Sequence, residues 1–507
     1  MNLEEIVICH KPIGFNTHAV NSSTDGVLEL LAAKNKEKLW PVHRLDRETS
    51  GLLLFAKTKE QASLLGDFFE NRKVLKTYYF LSRHEASKNQ FKIESHIEKK
   101  ASQWVSHQNL EANSETNFKK LRSAGEISLW QAEPKTGKTH QIRLHAKEAG
   151  IPILGDPIYS EDTAPRMFLH CAEMQMEEHA WKSPLPKSFE LCLANEAEEI
   201  VDLYSQLEVR KLLFGIQEHN SDSFRIYHKE NRDLSVDNYA GNLWFNIFDN
   251  SIAEEHCVDF FEKFKEQENW KHYLIRHMLN RGKNPEVKIR SSSDIEEEWE
   301  MHEQKVKIQL RSSQGQSVGI FLDQRENRKW VFENSRDKKV LNLFSYTCAF
   351  SLMAAAGGAN KVISVDTSKP SLEWGKEHFK LNEIYDKEKH LFFAMETDAF
   401  LRSSEKKDEL FDLVICDPPS FARNKKSLFR IENDFEALLF SCWQRTKANG
   451  HLLFSSNYEA WEESDFLTRI KEILKANYKL IKVNPGFDYE KPSQKRILKT
   501  FLIHKLS

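Results

Sequence analysis

Two periods of hydrophobic and polar residues occur along the chain, and the change between them divides it. Up to about residue 187, short runs rich in β-branched and aromatic residues, such as 76–81 and 91–97, are separated by glycine and proline. Such runs predict an antiparallel sheet with few helices. From about residue 339, apolar strands such as Lys361–Asp366 are separated by helical spacings. This second pattern predicts a parallel, doubly wound sheet.

The segment between these regions predicts a small β-rich domain. Residues 224–228 and 243–248 predict a pair of strands, and residues 258–271 predict an amphipathic helix. Residues 305–311 and 318–322 flank a polar turn and predict a β-hairpin. The fold class is therefore multidomain, α+β followed by α/β. The predicted ranges are an N-terminal domain at 1–200, a linker at 201–221, the small domain at 222–330 and a Rossmann-like domain at 331–507.

Length and composition exclude several classes of protein. The 507 residues exceed one ordinary hydrophobic core, and the 40% hydrophobic and 29% charged fractions are those of a globular protein. Apolar runs such as 51–56 are shorter than the roughly 20 residues of a membrane-spanning helix. The acidic start of the chain does not resemble an export signal. We therefore expect a cytoplasmic protein without a membrane partner.

Charge and cysteine usage narrow the candidate chemistry further. The net charge is −3, so contact with nucleic acid would have to come from local basic patches. The seven cysteines are scattered and form no CxxC pair. This pattern predicts free buried thiols, with neither a disulfide framework nor a zinc site.

One segment of the first region concentrates candidate catalytic residues. Asp46 lies between Arg44 and Arg47, and Gly51 introduces an apolar strand. A carboxylate among arginines can be held ionised as a nucleophile. The same arrangement also suits a loop-stabilising ion pair, so this segment alone leaves both interpretations open.

Four sequence blocks in order resemble the RluA-type pseudouridine synthases. The blocks are residues 10–14 (HKPIG), 43–57 (HRLDRETSGLLLFAK), 136–159 and 168–172. The resemblance implies that Asp46 is the catalytic aspartate and that Arg143 pairs with it. It also implies that Tyr78 stacks on a flipped base, with Tyr79 as the adjacent alternative, and that Arg44 contacts the substrate. No metal and no organic cofactor are implied for this domain.

A second candidate site lies in the last region. A strand, a tight turn and a helix follow one another over residues 340–358, which is the geometry of a nucleotide-like ligand site. The turn is poor in glycine, so a dinucleotide fingerprint is absent. Asp366 ends the next strand, where it can accept hydrogen bonds from ribose hydroxyls or cap a helix. Residues 417–421 (DPPSF) end another strand and form a slot for a flat base.

These segments together resemble S-adenosylmethionine-dependent methyltransferases, and most closely the large-subunit rRNA group that includes the RlmK and RlmI types. The motifs are residues 319–325 (GIFLDQR), 341–347 (LNLFSYT), 357–359, 365–368 (VDTS) and 417–421 with Lys425. The resemblance spans about residues 222–507 and implies S-adenosylmethionine as the cofactor. Asp366 would then hold its ribose and Asp398 would lie by its adenine. The other implied cofactor-binding residues are Phe321, Asp323, Arg325, Asn342, Phe344, Ser345, Tyr346, Thr347 and Asp417. The implied substrate-binding residues are Pro418, Pro419, Phe421 and Lys425.

Two departures from these families bear on activity. The group usually has glycine after its Tyr-Thr pair, where this chain has Cys348. We expect cofactor binding to survive, with a steric block as the alternative. The RlmI type forms 5-methylcytidine with a cysteine just after a strand ending in Phe-Ser, where this chain has Ser456 and Asn457. A ring nitrogen needs mainly positioning, so N7 of guanosine, the RlmK target, is the expected acceptor.

The predicted function is a bifunctional RNA-modifying enzyme, a pseudouridine synthase fused to a base methyltransferase acting on 23S rRNA or a precursor particle. Both chemistries need an extruded base. Three alternatives remain at this stage. The synthase alone is active and the C-terminal half is an RNA-binding remnant; the methyltransferase makes 5-methylcytidine; or the chain is a non-enzymatic ribosome assembly factor.

Overall fold

The structure is a computed structural model of the chain. The residues it describes are 3–19, 26–216, 221–249, 251–278, 288–293, 295–312, 317–423, 428–475, 477–481, 483, 486, 488–489 and 498–507. Among them, no helix combines the length and the apolar character needed to cross a bilayer.

The N-terminal region forms a ten-stranded, mainly antiparallel sheet, as predicted. Its spatial order is β1-β3-β9-β4-β8-β7-β5-β6, with β2 added to β3 and β10 added to β9. The strands are β1 (Ile6–Lys11), β2 (Trp40–Pro41), β3 (Ser50–Ala56), β4 (Val74–Ser82), β5 (Gln90–Lys100), β6 (Gln103–His107), β7 (Ser114–Ala124), β8 (Ile127–Pro134), β9 (Leu169–Met176) and β10 (His179–Lys182). The helices are α1 (Val27–Asn35), α2 (Lys59–Glu70), α3 (Gln141–Glu148) and α4 (Lys187–Leu193).

Strand β3 explains the glycine of the longest N-terminal sequence block. The whole strand is buried, and its first two residues pair in parallel with His170 and Cys171 of β9. Gly51 has a φ of +116°, and a Cβ atom there would lie 2.2 Å from the carbonyl oxygen of Cys171. Only glycine permits this approach, so the residue anchors the loop of Asp46 against β9.

A 19-residue helix, α5 (Glu198–Ile216), occupies most of the segment predicted as a linker. Val209 and Leu213 pack into the core beneath the N-terminal sheet. Leu203 and Leu207 pack into a second core, which N-terminal strands share with the following domain. Helix α5 is therefore a common structural element of two domains.

The middle region contains a five-stranded sheet in the order β11 to β15 and a separate two-stranded sheet. Its elements are β11 (Ser223–His228), β12 (Leu234–Tyr239), β13 (Asn242–Ile247), α6 (Glu254–Glu268), β14 (His272–His277), β15 (Lys288–Ser291), β16 (Glu298–Glu303) and β17 (Val306–Arg311).

Two predicted strand pairings in this region are wrong. Strand β12 lies between β11 and β13 and pairs with both. The polar residues of β12 locally resemble a turn. Asp237 is nevertheless buried in the strand, and the Arg225 guanidinium stabilises it there by donating to both of its carboxylate oxygens at 2.8 Å. The hairpin partner of β17 is β16, and residues 318–322 are not a strand. Alternate burial of Trp299 and Met301 stabilises β16 despite its glutamates.

The C-terminal region has a seven-stranded sheet in the order β20-β19-β18-β21-β24-β26-β25. The first five strands are parallel, and β26 runs antiparallel to both of its neighbours. Its strands are β18 (Lys339–Leu343), β19 (Lys361–Asp366), β20 (His390–Ala394), β21 (Phe411–Cys416), β24 (Thr446–Ser456), β25 (Tyr478–Ile481) and β26 (Lys499–Lys505), with a hairpin of β22 (Phe421–Arg423) and β23 (Leu428–Arg430). The helices are α7 (Arg325–Asn334), α8 (Ala349–Ala356), α9 (Lys369–Leu381), α10 (Thr397–Lys406), α11 (Ile431–Arg445) and α12 (Glu463–Leu474).

This sheet confirms the doubly wound prediction and locates its ligand crevice. Strand β18 has β19 on one side and β21 on the other, so the chain order reverses there. Ligands of open α/β sheets bind at such a reversal, outside the carboxyl ends of the strands.

We expect Leu207→Ala and Leu213→Ala each to lower the free energy of unfolding by about 2–5 kcal/mol. Because α5 belongs to both cores, each substitution should move the unfolding of the N-terminal and middle domains together. Differential scanning calorimetry of the full chain measures this effect. Lys211→Ala, at an exposed position of the same helix, is the control. A shift confined to one of two resolved transitions would show that the domains unfold independently.

Candidate active sites

The predicted catalytic aspartate is held by an arginine that bridges two carboxylates. Arg143 Nη1 on α3 donates to Asp46 Oδ2 at 3.2 Å. Its Nε and Nη2 donate to the two oxygens of the buried Asp156 at 2.7 and 2.8 Å. Although burial opposes it, Arg143 and two backbone amides hold the pKa of Asp156 below its usual value. Asp46 itself is 20% exposed, so one oriented carboxylate is presented at the surface.

The first two sequence blocks contact each other beneath Asp46. The Lys11 ammonium is fully buried and donates to the carbonyl oxygens of Pro12, Phe15 and Arg47 at 2.7–2.9 Å. Burial lowers the pKa of Lys11 to about 7. These bonds tie the loop of residues 10–16 to the loop of Asp46. These hydrogen bonds explain why a lysine occurs at this position of the first block.

Neither of the two arginines near Asp46 in the sequence, Arg44 and Arg47, forms an ion pair with it among the described residues. Arg47 Nε donates to the Gly14 carbonyl oxygen at 3.1 Å and lies 3.5 Å from Glu48. Arg44 is exposed and lines a small cavity beside Arg47. The cation that holds Asp46 is therefore Arg143, which is distant in sequence.

The predicted stacking tyrosine lies in the core beside this site. Tyr78 on β4 is 8% exposed. Burial first, then Cys171 and the charge of Asp46, raise its pKa well above the usual value. Tyr79 packs toward the second core on the other side of the sheet. Of the two tyrosines, Tyr78 is the one on the side of Asp46.

The sequence favours a structural role over a catalytic one for His140, yet this side chain also faces Asp46. Its Nε2 lies 3.8 Å from Asp46 Oδ2, and its Nδ1 is hydrogen-bonded to the Tyr159 hydroxyl at 2.9 Å. His140 precedes α3 and has a left-handed φ of +57°, so helical spacing from Arg143 gave no signal for its position.

The second site is a cavity of about 580 Å³ at the carboxyl ends of β18, β19 and β21. Most of the predicted cofactor and substrate residues line it. They are Phe321, Asp323, Phe344, Ser345, Tyr346, Thr347, Asp366, Asp398, Asp417, Pro418 and Pro419.

The turn after β18 is held in place by Asp366. One carboxylate oxygen of Asp366 accepts from the Tyr346 amide and the other from the Ser368 amide, both at 2.8 Å. Phe344, Tyr346 and Cys348 have positive φ values of 46–61°, which are unfavourable for residues other than glycine. Each oxygen of Asp366 keeps a lone pair for a ligand hydroxyl. This geometry fits the predicted ribose contact.

Cys348 does not project into the cavity. Its side chain is fully buried and packs against Gly375 of α9, where an added Cβ atom would lie 2.6 Å from Sγ. Burial raises the pKa of the Cys348 thiol to about 12. Gly375 therefore provides the space for the side chain of Cys348, which stands where the family usually has glycine. The cavity stays open.

Two carboxylates deep in the cavity favour a cationic ligand. Asp323 Oδ1 is buried, and no protein hydrogen bond to it occurs among the described residues. Burial raises the pKa of Asp417 to about 6, and the charge of Asp323 adds to this effect. Buried acceptors normally have partners, so Asp323 fits a positively charged donor such as the ammonium of S-adenosylmethionine.

Three of the residues predicted for this cavity do not line it. The Arg325 guanidinium is buried in a bidentate pair with Asp488 at 2.6 and 3.0 Å. Asn342 donates to the Ser351 hydroxyl behind the turn. Phe421 is exposed outside the cavity. Lys425 lies outside the described residues.

Sequence reasoning also missed some of the residues that line the cavity. Arg328, three positions after Arg325, lines it in place of that residue and donates to the Phe321 carbonyl oxygen. The 319–325 motif ends before this arginine and gave no signal for it. Further residues that the sequence motifs did not indicate are Phe350, Glu396, Arg402, Phe429, Asp434 and Asn457.

No cysteine is among the described residues that line the cavity. Cys416 and Cys442 are fully buried, in line with the buried free thiols that the cysteine pattern predicts. Asn457, after the strand ending in Ser456, lines the cavity. Nor does the described part of the chain contain a group of three or more side chains suited to hold a metal ion.

A crevice at a strand-order reversal, with an acidic residue after the second strand, is typical of a Rossmann-like cofactor domain. The model of the S-adenosylmethionine-dependent methyltransferase family matches residues 225–480, half of the chain, and the chain belongs to this family. Its cofactor is S-adenosylmethionine. The model of the RNA pseudouridylate synthase family matches residues 5–148, so the N-terminal domain is a pseudouridine synthase domain.

Curated relatives are similar to part of the chain. A ribosomal RNA large subunit methyltransferase K/L from Psychrobacter cryohalolentis is 38% identical over 176 residues, which are 34% of this chain and 22% of that protein. The protein of the same name from Dichelobacter nodosus is 29% identical over 305 residues, which are 56% of this chain and 40% of that protein. The chain thus matches well under half the length of these relatives.

Solved structures show the same fold in the methyltransferase region. A protein from Streptococcus mutans described as a SAM-dependent methyltransferase has a TM-score of 0.52 at 22% identity, covering 60% of this chain and 81% of that one. A methyltransferase complexed with SAH has a TM-score of 0.53 at 21% identity, covering 72% of this chain and 98% of that one. At these identities the likeness concerns the fold alone.

We expect Gly375→Ala to destabilise the protein by about 1–3 kcal/mol, because the new methyl group overlaps Cys348 and forces the turn of Thr347 to move. The same change should weaken binding of S-adenosylhomocysteine. Thermal unfolding and titration calorimetry measure the two effects.

Cys348→Gly in the same chain should restore both properties, since it removes the side chain that the methyl group meets. Cys348→Gly alone is the matched control and should retain binding. If the double variant is as impaired as Gly375→Ala, the packing of Cys348 on Gly375 is not the reason the cavity stays open.

Proposed function

We propose that this chain is a bifunctional RNA-modifying enzyme that isomerises a uridine to pseudouridine and methylates N7 of a guanosine in large-subunit rRNA. The proposal rests above all on the Asp46–Arg143 pair, a partly exposed carboxylate held by a buried guanidinium inside a pseudouridine synthase domain. The names of the curated relatives support large-subunit rRNA as the substrate of the methyltransferase domain. A cytoplasmic location follows from that substrate.

The first reaction needs a nucleophile and no cofactor. Pseudouridine formation breaks the bond from N1 of uracil to C1′ of ribose and joins C5 to C1′. The C5 proton is released and N1 takes up a proton, so the product is an isomer of uridine. Asp46 attacks the uridine to allow this exchange. Arg143 keeps Asp46 ionised and oriented, and Asp156 fixes Arg143 through its two hydrogen bonds. Tyr78 and Arg44 contact the extruded base and its strand.

The second reaction places a nucleophilic nitrogen before the cofactor. When bound, S-adenosylmethionine supplies an electrophilic methyl group. N7 of guanine has a free lone pair, so positioning is the main requirement. Its methylation leaves a positive charge on the base, and an acidic cavity stabilises that charge. The described lining contains six carboxylates, on Asp323, Asp366, Glu396, Asp398, Asp417 and Asp434, and two arginines, Arg328 and Arg402.

The absence of cysteine from the described lining argues against 5-methylcytidine, whose formation needs a thiol at the ring. Pro418, Pro419 and Asp417 all line the cavity. In this proposal the two prolines form one side of the base slot and Asp417 lies at its edge. Phe421 and the sequence-predicted Lys425 complete the proposed RNA contacts. Asp398 is proposed to contact the adenine of the cofactor.

Asp46→Asn and Asp366→Ala should separate the two activities. The test uses rRNA from a strain that lacks the gene, with tritium release from uridine labelled at C5 and methyl transfer from labelled S-adenosylmethionine. Asp46→Asn should abolish tritium release and keep methyl transfer, because only the nucleophile is lost. Asp366→Ala should lower methyl transfer at least tenfold and keep tritium release.

Each variant is thus the control for the other. A wild-type protein that binds the rRNA but releases no tritium and transfers no methyl group would favour an assembly factor. Tritium release without methyl transfer would favour an RNA-binding remnant in the C-terminal half. Labelled 5-methylcytidine in the product would exclude the nitrogen acceptor.

Affinity for S-adenosylmethionine should depend on pH through Asp417. Burial raises the pKa of this carboxyl to about 6, so it is ionised above pH 6 and neutral below. A cationic ligand favours the ionised form, so the affinity should fall about tenfold from pH 7 to pH 5. Asp417→Asn should bind weakly and lose most of this slope. Calorimetric titrations at several pH values measure it, and a flat wild-type profile would show that Asp417 does not titrate against the ligand.

A further inference from the structure

We propose that Phe421 and Arg430, here called the stacking platform, bind the unpaired nucleobase next to the target guanosine. The proposal rests on the methyltransferase part of the proposed function. It adds Arg430 to the RNA contacts, and it identifies the nucleotide that Phe421 contacts as the neighbour of the target guanosine. The sequence motif predicts Phe421 as a substrate contact and gives no role to Arg430.

The stacking platform is one face of the hairpin formed by β22 and β23. Phe421 pairs directly with Arg430, and Ala422 pairs directly with Phe429. Directly paired residues of antiparallel strands lie on the same face, and successive residues lie on opposite faces. Phe421 and Arg430 therefore share one face, and Phe429 belongs to the other.

The face of Phe429 belongs to the cofactor cavity. Phe429 lines the cavity, and its ring centroid lies 5.6 Å from that of Phe344 in the turn after β18. The hairpin also follows Pro418 and Pro419, which line the same cavity. The stacking platform is thus on the outer side of a two-stranded wall whose inner side faces the reacting base.

The face of Phe421 and Arg430 is open to solvent. Phe421 is 55% exposed, and the Arg430 guanidinium carbon lies 5.9 Å from its ring centroid. Arg430 Nη1 is 3.8 Å from Glu432, and both of these side chains are about half exposed. An exposed ion pair of this kind contributes little free energy, so Arg430 can exchange it for a phosphate.

Single-stranded RNA is the occupant that fits this chemistry. Extruding the target guanosine into the cavity breaks its stacking on the adjacent base, which then needs a new partner. Aromatic rings and arginine planes are the usual partners of such bases in RNA-binding proteins. The guanidinium also matches the charge of the adjoining phosphate. The continuity of the stacking platform with the cavity selects the neighbouring nucleotide.

The test compares Phe421→Ala and Arg430→Ala with Phe421→Trp and Phe440→Ala. Phe440 on α11 is 48% exposed and does not line the cavity, so Phe440→Ala is the matched loss of an exposed aromatic ring. Methyl transfer to rRNA from the gene-deleted strain gives KM and kcat, and titration with S-adenosylhomocysteine checks the cofactor site.

Phe421→Ala should raise the KM for RNA about 5- to 150-fold, the range expected for one lost base–aromatic stack. Its kcat at saturating RNA and its affinity for S-adenosylhomocysteine should stay close to wild type. Arg430→Ala should change KM in the same direction, Phe421→Trp should restore it, and Phe440→Ala should leave it unchanged. Equal KM values for Phe421→Ala and Phe440→Ala would overturn the proposal. A second outcome would also overturn it, namely a wild-type dimer that Phe421→Ala converts to a monomer while the KM is unchanged. The Phe421 ring would then contact a second copy of the chain.

A binding experiment keeps the proposal testable if wild type transfers no methyl group. The probe is a single-stranded RNA heptamer with 2-aminopurine next to a central guanosine, since the fluorescence of 2-aminopurine is quenched when it stacks. Wild type and Phe440→Ala should quench it, and Phe421→Ala should not. Equal fluorescence with wild type and Phe421→Ala would overturn the stacking platform. Quenching without methyl transfer would overturn the proposed methyltransferase activity instead.

Discussion

The shared burial of helix α5 is the constraint on which the arrangement of this protein depends. Its apolar residues belong to two hydrophobic cores, and its polar residues also contact both domains. Asp202 accepts from the Tyr227 hydroxyl at 2.6 Å in the middle domain. Glu208 accepts from the Ser188 hydroxyl and lies 3.9 Å from the buried Arg166 in the synthase domain. Such a joint favours one rigid unit, so RNA held at one site would meet the other at a raised effective concentration.

Each site uses a charged side chain to fix the group or the turn that would meet the ligand. Arg143 is fixed by the buried Asp156 and in turn holds Asp46. In the methyltransferase domain, Asp366 ties the turn after β18 to the loop after β19. Groups fixed in advance lose little freedom when the substrate arrives. The unusual φ values of that turn are tolerated because Asp366 and the packing of Cys348 on Gly375 hold it.

The sequence was informative where function or burial is local, and less so where partners are distant. The period of the apolar residues predicted both main sheets, and Asp46, Asp366 and Asp417 stood out because motifs surround them. Strand β12 was missed because the buried Arg225–Asp237 pair that stabilises it is not visible in its local pattern. Arg328 was missed because the motif ends at Arg325, and only the fold shows which arginine faces the cavity.

The most direct test of two RNA-modifying sites in one chain is a map of modified nucleosides in rRNA and tRNA from a strain lacking the gene and from its parent. Mass spectrometry detects the methylated bases, and carbodiimide probing detects pseudouridine, which has the mass of uridine. We expect the deletion to remove one 7-methylguanosine and at least one pseudouridine. Identical maps from the two strains would contradict the account.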